Sequence, residues 1–250
     1  MTKRRISLTL EESLLKRADR LVGHLSESRS GVFEKLLERA FLTTTPKTAV
    51  ILTGSGDTIL KEFGGKRAVD IHLEKLAPVG VKRVVFIGKN AGSLKEKLET
   101  ELELKFIDDE GSGTGGALRE ASHLLKDSFF LIYGDTISSI DYLDFYRFHF
   151  SQNVMATVAL TTWKEPQKFG VPEMRGTRVV GFREKPSRSE SYLISAGSFV
   201  IEPEVLKVIP KGPASLERHV LPKLASINQL AGYIFSGEWR DLGEAQIDKP

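Results

Sequence analysis

Apolar and polar residues alternate at the start of the chain, where Ile6, Leu8 and Leu10 are separated by polar residues. A period of two predicts a strand with one apolar and one polar face. Two segments with apolar residues at helical spacing follow, and each predicts an amphipathic helix. One short strand and two helices cannot bury this much apolar surface alone. We therefore predict a homodimer or a higher homo-oligomer that forms through residues 1–45.

After residue 47, short runs of β-branched and aromatic residues alternate with amphipathic segments. In chain order they are TAVILTG, RAVDIHLEKLAPVG, VKRVVFIG, SLKEKLETEL, LKFIDD, GGALREASHLL and FFLIYGD. Strands that alternate with helices predict an α/β fold with βαβ units and a mostly parallel sheet. Ligands bind beyond the carboxyl ends of such strands, so we expect a site in the loops there. The threonines and proline of residues 43–47 predict a boundary between domains of residues 1–45 and 47–250.

Composition and charge indicate a folded protein with a basic N-terminal segment. The 250 residues are 40% hydrophobic and include no cysteine, which excludes disulfides, thiolate metal sites and cysteine nucleophiles. The apolar runs are far shorter than a membrane span and no signal-peptide pattern opens the chain, so we expect a cytoplasmic protein with no membrane partner. Up to residue 47, ten Lys or Arg residues outnumber six Asp or Glu residues, a balance of +4 within a net charge of +3.

The N-terminal segment resembles the ribbon-helix-helix family of DNA-binding proteins, of the MetJ and Arc type. The resemblance is carried by the alternating strand, the lengths of the two helices and the SRS turn at residues 28–30. It implies that two strands pair across a dimer axis and enter the major groove of double-stranded DNA. The implied base-contacting residues are Arg5, Ser7 and Thr9. The implied phosphate-contacting residues are Ser28, Arg29 and Ser30. A segment that serves only for dimerisation is an alternative.

The remainder of the chain resembles the sugar-phosphate nucleotidyltransferases, which join a nucleoside triphosphate and a sugar 1-phosphate into a nucleotide sugar and pyrophosphate. The resemblance rests on the order and spacing of GSGDTIL, DDEGSGTGGAL, GDT, KFGV, VVGFREKP, SAGSFVI, ERHVLPKLA and EWRDLG. It implies a Rossmann-like domain with a mostly parallel central sheet. The reaction joins polyanions, so a divalent cation and basic side chains are expected to contribute most of the catalysis.

The nucleotidyltransferase resemblance also implies roles for individual residues. Asp135 of YGDT and Asp241 of WRDLG match the aspartates that hold Mg²⁺ in the family, here expected only with nucleotide bound. Taken alone, either aspartate could be a turn residue or a helix cap. Glu184 and Lys185 of REKP are the implied catalytic residues, with Glu184 near sugar hydroxyls and Lys185 near the sugar phosphate. The implied nucleotide-binding residues are Gly54, Ser55, Gly56, Gly113, Thr114 and Gly115.

The first glycine-rich loop departs from the family's Gly-Gly-x-Gly-Thr-Arg-Leu signature. Asp57 stands at the third glycine and Ile59 at the arginine, and no Pro-Lys-Pro follows. Isoleucine cannot hold a triphosphate, and an added carboxylate repels one. Lys61 or Lys66 could replace the lost cation, and the sequence does not decide between them. Ser195 stands where the family usually has an asparagine near the sugar.

Two functions follow from these motifs. The damaged loop and the N-terminal segment together favour a sequence-specific DNA-binding transcription regulator. Its nucleotidyltransferase-like domain would bind a nucleotide or nucleotide sugar with impaired or absent catalysis. The alternative is an active sugar-phosphate nucleotidyltransferase with an appended DNA-binding segment, which explains why Asp135, Asp241, Glu184 and Lys185 are all present.

Overall fold

The chain forms two units in the computed structural model, residues 1–44 and residues 45–250. The residues described are 7–43, 45–54 and 57–243, without the side chains of residues 38, 39 and 41–43. Among these residues, no helix combines the length and the apolar character needed to cross a membrane.

The N-terminal unit contains two helices, α1 (Glu12–Asp19) and α2 (Arg29–Thr43). Ala18 of α1 and Val32 of α2 are buried. A two-pronged ion pair joins the helices, because Nε and Nη2 of Arg29 donate to the two carboxylate oxygens of Asp19 at 2.6 and 2.9 Å. Oγ of Ser28 accepts a hydrogen bond from the amide of Gly31 at 3.1 Å and so caps the start of α2.

The predicted ribbon is not found in this unit. Residues 7–10, which include Ser7 and Thr9, form no strand and are exposed, and Arg5 lies outside the described residues. Ser30 is exposed at the start of α2. Arg29, predicted to contact a DNA phosphate, is instead paired with Asp19, and a phosphate would have to displace that carboxylate. The two helices agree with the prediction, whereas a ribbon-helix-helix domain is not shown.

Several leucines of the N-terminal unit are exposed to solvent. The exposed fractions are 59% for Leu8, 38% for Leu10, 46% for Leu14 and 46% for Leu37. Apolar side chains left in water in so small a unit are the expected sign of a missing partner surface. Association through this unit remains a prediction.

The strands and helices of the larger unit follow the α/β pattern. Its strands are β1 (Thr48–Gly54), β2 (Glu62–Phe63), β3 (Lys66–Arg67), β4 (Arg83–Gly88), β5 (Glu103–Asp108), β6 (Phe129–Tyr133), β7 (Thr136–Ser138), β8 (Ala156–Thr162), β9 (Gly170–Arg175), β10 (Arg178–Glu184), β11 (Leu193–Ile201), β12 (Leu230–Ile234) and β13 (Trp239–Asp241). Its α-helices are α3 (Ala68–Leu76), α4 (Gly113–Glu120), α5 (Tyr142–Gln152) and α6 (Leu221–Ser226). Short 3₁₀ turns occur at Thr58–Leu60, Ala91–Lys97, Ala121–Leu124, Pro166–Lys168 and Pro203–Lys207, and a π turn occurs at Leu216–Val220.

A nine-stranded sheet runs through the described part of the larger unit in the order β5-β4-β1-β6-β11-β8-β12-β10-β9. All its strands except β10 and β11 run in one direction, so the sheet is mixed but mostly parallel. Two small pairs lie outside it, β2 with β3 and β7 with β13. The predicted α/β fold is confirmed for this unit.

Both faces of the sheet are covered, which explains the continuous apolar runs in the sequence. In β1, Val50 and Leu52 belong to one core cluster, and Ala49 and Ile51 belong to the other. Residues of β4 and β6 alternate between the two clusters in the same way. Alternate side chains of a strand point to opposite faces, so a strand covered on both sides needs apolar residues at every position.

One predicted helix is wrong. The segment SLKEKLETEL begins within the 3₁₀ turn Ala91–Lys97, and no α-helix follows in the described chain before β5. Asn90 precedes the turn in the left-handed conformation, with φ at 57°, and Leu98 is already extended. Only Ala91 and Leu94 are buried in this turn, so there is no long apolar stripe to pack a full helix against the sheet.

We expect a chain that lacks residues 1–44 to be monomeric, whereas the full chain is at least dimeric. Light scattering coupled to gel filtration measures this directly. Leu14→Glu in the full chain should weaken the association, and Lys16→Glu, which changes charge at an exposed polar position of the same helix, should not. A truncated chain with the oligomeric state of the full chain would place the interface elsewhere.

Candidate functional site

The pairing of β7 with β13 brings Asp135 and Asp241 together. Asp241 is opposite Thr136 in this pair, and the amide of Leu242 donates to the carbonyl oxygen of Asp135 at 2.7 Å. A Cβ at Gly243 would lie 3.1 Å from Oδ1 of Asp241 and 3.3 Å from Oδ2 of Asp135. The two carboxylates belong to motifs that lie about a hundred residues apart in the sequence. The folded chain brings both to one point.

The electrostatics of this pair favour a bound cation. Burial is the largest cause that raises the pKa of Asp135, the Asp241 charge raises it further, and the Lys61 ammonium opposes both. Among the described residues, no group of three or more Asp, Glu, His or Cys side chains could hold a metal ion. Two carboxylate oxygens that approach the same point nevertheless fit Mg²⁺, which accepts phosphate oxygens and waters as its other ligands.

A cavity of about 380 Å³ opens beside the two carboxylates. Its lining residues are Tyr133, Asp135, Thr136, Lys168, Phe169, Gly170, Glu184, Lys185, Ser195, Gly197, Glu217, Trp239, Asp241 and Gly243. The cavity thus contains both predicted metal ligands, both predicted catalytic residues and Ser195. It lies at the carboxyl end of β6, where the parallel sheet predicts a ligand.

Glu184 and Lys185 reach the cavity from the end of β10. Glu184 is opposite Gly170 of β9, and a Cβ at Gly170 would lie 3.2 Å from Oε2 of Glu184. Lys185 has φ at 45°, which is uncommon for a residue with a side chain, and its amide donates to the carbonyl oxygen of Phe169 at 3.1 Å. Burial and then the Glu217 charge raise the pKa of Glu184. The charges of Lys185 and Arg218 lower the pKa of Glu184, so both cationic groups lie near this carboxyl group.

The second predicted nucleotide loop, at residues 113–115, packs against Ala214 and Glu217. Gly113 has φ at 78°, and a Cβ there would lie 2.5 Å from the carbonyl oxygen of Ala214. That oxygen accepts from the amides of Gly115 and Gly116 at 2.8 and 3.1 Å. Oγ1 of Thr114 donates to Oε2 of Glu217 at 2.8 Å. Gly113, Thr114 and Gly115 are outside the cavity lining, and their contact with nucleotide remains a prediction.

The first glycine loop leaves the sheet at the end of β1. Gly54 has φ at 59°, a conformation that suits glycine, and its carbonyl oxygen accepts from the amide of Lys89 at 3.2 Å. Ser55 and Gly56 lie outside the described residues. β1 pairs in parallel with β6, so Gly54 lies at the same end of the sheet as the carboxyl end of β6.

The structure distinguishes the two lysines that the sequence left open. Nζ of Lys61 donates to the carbonyl oxygen of Leu242 at 2.7 Å, next to Asp241. Nζ of Lys66 instead pairs with the carboxylate of Glu74 at 2.7 Å. Ile59, at the position of the family's arginine, is completely buried. Lys61 is therefore the cation beside the acidic pair.

Glu217 is a cavity residue that the sequence reasoning did not assign. Its carboxylate accepts hydrogen bonds from the hydroxyls of Tyr133, Thr114 and Ser215. These donors come from the end of β6, from α4 and from the segment before the π turn. ERHVLPKLA stands out in the sequence as a motif, but only the folded chain shows that its glutamate binds Thr114 of the predicted nucleotide segment and Tyr133 at the end of β6.

Aromatic residues form one wall of the cavity. Trp239 packs edge to face against Phe169 and Trp163, with ring centroids 5.2 and 5.1 Å apart. Its indole Nε1 donates to the carbonyl oxygen of Ala196 at 3.0 Å. The tryptophan of EWRDLG is two residues before Asp241, so this packing fixes the strand that carries the aspartate.

Residues 52–247 match the sequence profile of the nucleotidyl transferase family. The chain belongs to this family. A mannose-1-phosphate guanyltransferase of Yarrowia lipolytica is 31% identical over 197 residues, which are 74% of this chain and 54% of the relative. Mannose-1-phosphate guanylyltransferase 1 of Arabidopsis thaliana is 32% identical over 206 residues, which are 77% of this chain and 57% of the relative. This nucleotidyl transferase chain thus spans little more than half the length of these relatives.

A solved structure supports the fold. A candidate glucose-1-phosphate thymidylyltransferase from Bacillus anthracis superimposes with a TM-score of 0.71, at 20% identity over 78% of this chain and 90% of that chain. At this identity the likeness concerns the fold, which is the α/β nucleotidyltransferase architecture.

The hypothesis of a DNA-binding regulator with damaged catalysis is wrong. The relatives of this nucleotidyl transferase chain are sugar-phosphate nucleotidyltransferases, and the family match begins at residue 52, after the N-terminal unit. No finding supports double-stranded DNA as a partner. The signature loop that motivated the hypothesis has lost its arginine but retains a cation, Lys61, beside the acidic pair.

His72 packs against the turn that carries Asp135. Its Nε2 is 3.4 Å from the carbonyl oxygen of Gly134. Burial is the largest cause that lowers its pKa from 6.5 to about 4, and the Lys75 charge lowers it further. The folded protein therefore holds this imidazole neutral at pH values where the unfolded chain protonates it.

We expect the free energy of unfolding to fall as pH decreases from 6.5 towards 4, because only the unfolded chain binds the His72 proton in this interval. Above pH 6.5 His72 is neutral in both the folded and the unfolded chain, and the free energy of unfolding is at its full value. By about pH 4, protonation of His72 in the unfolded chain has lowered it by roughly 3 kcal/mol at most. Denaturant unfolding at several pH values measures it. His72→Gln should flatten the curve, and His123→Gln, at an exposed position, should not. Equal pH dependence of wild type and His72→Gln would contradict the assignment.

Proposed function

We propose that the protein is an active sugar-phosphate nucleotidyltransferase. The single observation that carries this proposal is the convergence of Asp135, Asp241, Glu184 and Lys185 in one cavity. In the reaction, an oxygen of the sugar 1-phosphate attacks the α-phosphorus of a nucleoside triphosphate. A new phosphorus–oxygen bond forms, the bond from the α-phosphorus to the bridging oxygen breaks, and pyrophosphate leaves with that electron pair.

GTP and mannose 1-phosphate are the substrates that we propose to test first. The support is the names of the relatives, which are mannose-1-phosphate guanylyltransferases at 31 and 32% identity. The nucleotide would lie at the sheet edge near Gly54, Ser55 and Gly56. The segment of Gly113, Thr114 and Gly115 would contact its base and ribose, with its position set by Glu217.

Asp135 and Asp241 would hold Mg²⁺, which supplies charge neutralisation of the triphosphate when it is bound. Lys61 would take the place of the missing arginine and contact the triphosphate. Its ammonium is a point charge rather than a planar fork, so it would neutralise charge without the two-pronged geometry of an arginine. Asp57 at the third glycine does not remove this cation, because Lys61 is held by the backbone next to Asp241.

The sugar 1-phosphate would lie in the cavity of about 380 Å³. Lys185 would bind its phosphate, and the carboxyl group of Glu184 would bind sugar hydroxyls. The nonpolar edges of the sugar would pack on the aromatic wall formed by Trp239 and Phe169. Holding both substrates in one orientation, with water excluded from the reacting atoms, is the main source of rate for a transfer of this kind.

We expect pyrophosphate release from GTP and mannose 1-phosphate with Mg²⁺, measured by a coupled phosphate assay and by chromatography of the nucleotide sugar. A panel of the other triphosphates and hexose 1-phosphates in the same assay identifies the preferred pair. Absence of pyrophosphate with every pair tested would refute the proposed function.

We further expect Lys61→Ala to lower kcat ten- to a hundredfold, which corresponds to about 1.4 to 2.7 kcal/mol of transition-state stabilisation. Lys61→Arg should recover part of the loss because it restores the charge. Lys66→Ala is the matched control and should retain near-wild-type kcat, because that lysine is paired with Glu74. Equal kcat values for the Lys61→Ala and Lys66→Ala proteins would remove Lys61 from the reaction.

A further inference from the structure

A second hollow, of about 560 Å³, adjoins the site cavity. Its lining residues are Phe182, Arg183, Glu184, Pro186, Ser187, Arg188, Glu217, Arg218 and Pro222. Glu184 and Glu217 line both hollows, so the two hollows meet at these side chains. We call this second hollow the arginine pocket.

Among the described residues, none of the three arginines of this pocket makes a side-chain ion pair, although the Arg218 charge reaches Glu184 and lowers the pKa of that carboxyl group. The guanidinium groups of Arg183, Arg188 and Arg218 make no hydrogen bond or ion pair with any residue that the structure describes. Elsewhere in the larger unit, Arg67 pairs with Asp70 and Arg83 pairs with Glu103. Three unpaired guanidinium groups around one concavity repel one another and attract an anion.

The charges on the pocket wall leave a positive surplus. Three arginines oppose two carboxylates, and one of these, Glu217, is already occupied by three hydroxyl donors. Glu184 faces the region proposed for sugar hydroxyls. Lys185, which we propose to bind the anomeric phosphate, lines the first cavity but not the arginine pocket. Lys185 and the three arginines therefore line different hollows, which meet at Glu184 and Glu217.

We propose that the sugar 1-phosphate carries a second anionic group on the side of its ring away from the anomeric phosphate, and that Arg183, Arg188 and Arg218 bind this group. The inference rests on the proposed function. A carboxylate and a phosphate share the chemistry that a guanidinium group recognises, because both present paired oxygens to its planar donors.

The test uses sugar phosphates that differ only at carbon 6: mannose 1-phosphate, mannuronic acid 1-phosphate and mannose 1,6-bisphosphate. With GTP and Mg²⁺, we expect kcat/KM to be at least tenfold higher for one of the two doubly anionic sugars. The comparison of mannuronic acid 1-phosphate with mannose 1,6-bisphosphate shows whether the pocket prefers a carboxylate or a phosphate. Raised salt should reduce the preference, since the arginines are exposed.

Variants assign the preference to the pocket. Arg188→Ala and Arg218→Ala should each reduce the ratio of kcat/KM for the anionic over the neutral sugar towards one. Arg188→Lys should retain part of it. Arg147→Ala, at an exposed arginine of α5, is the matched control and should leave the ratio unchanged.

Failure of this inference is distinguishable from failure of the proposed function. Equal kcat/KM for all three sugars would overturn the inference and keep the nucleotidyl transfer. If no pyrophosphate is released with any sugar, calorimetric titration of the same three compounds decides the inference separately. Equal affinity for the neutral and the doubly anionic sugars would then overturn it, and tighter binding of an anionic sugar that Arg218→Ala abolishes would support it.

Discussion

The mutual repulsion of Asp135 and Asp241 is the constraint on which the rest of the site depends. The backbone pairing of β7 with β13 fixes the two carboxylates near each other, and burial together with the Asp241 charge raises the pKa of Asp135. Protonation of one carboxyl group or a cation beside the pair relieves this repulsion. Lys61 is one such cation, and in the proposed function Mg²⁺ with a triphosphate supplies further positive charge. Metal and nucleotide binding would then depend on each other.

Hydrogen bonds centred on Glu217 connect the end of the strand that precedes Asp135 with the predicted nucleotide segment. Tyr133, at the end of β6 and two residues before Asp135, donates its hydroxyl to Glu217. Glu217 also accepts from Thr114 of the predicted nucleotide segment and lies beside Glu184 of the predicted sugar site. Burial and the Glu217 charge raise the pKa of Tyr133, so its hydroxyl remains a donor. One carboxylate thereby holds the predicted nucleotide segment against the end of β6.

The predictable parts of this protein are those in which a single segment determines its own structure. Strands covered on both faces, such as β1 and β6, need apolar residues at every position, and this is visible in the sequence. The convergence of Asp135 with Glu184 was accessible only through the family resemblance. The choice of Lys61 over Lys66 could not be predicted even from the family resemblance, because it depends on where a shortened loop folds. The N-terminal alternation predicted a strand, yet residues 7–10 form none, since a pattern of period two cannot supply the partner strand that it needs.

Isothermal titration with GTP, with and without Mg²⁺, tests most directly the claim that the acidic pair is a nucleotide-dependent metal site. We expect at least tenfold tighter GTP binding with Mg²⁺ in the wild type. Asp135→Asn should remove this gain, and Asp127→Asn, at an exposed position, should retain it. Equal GTP affinity with and without Mg²⁺ in the wild-type protein would show that the acidic pair is not a nucleotide-dependent metal site.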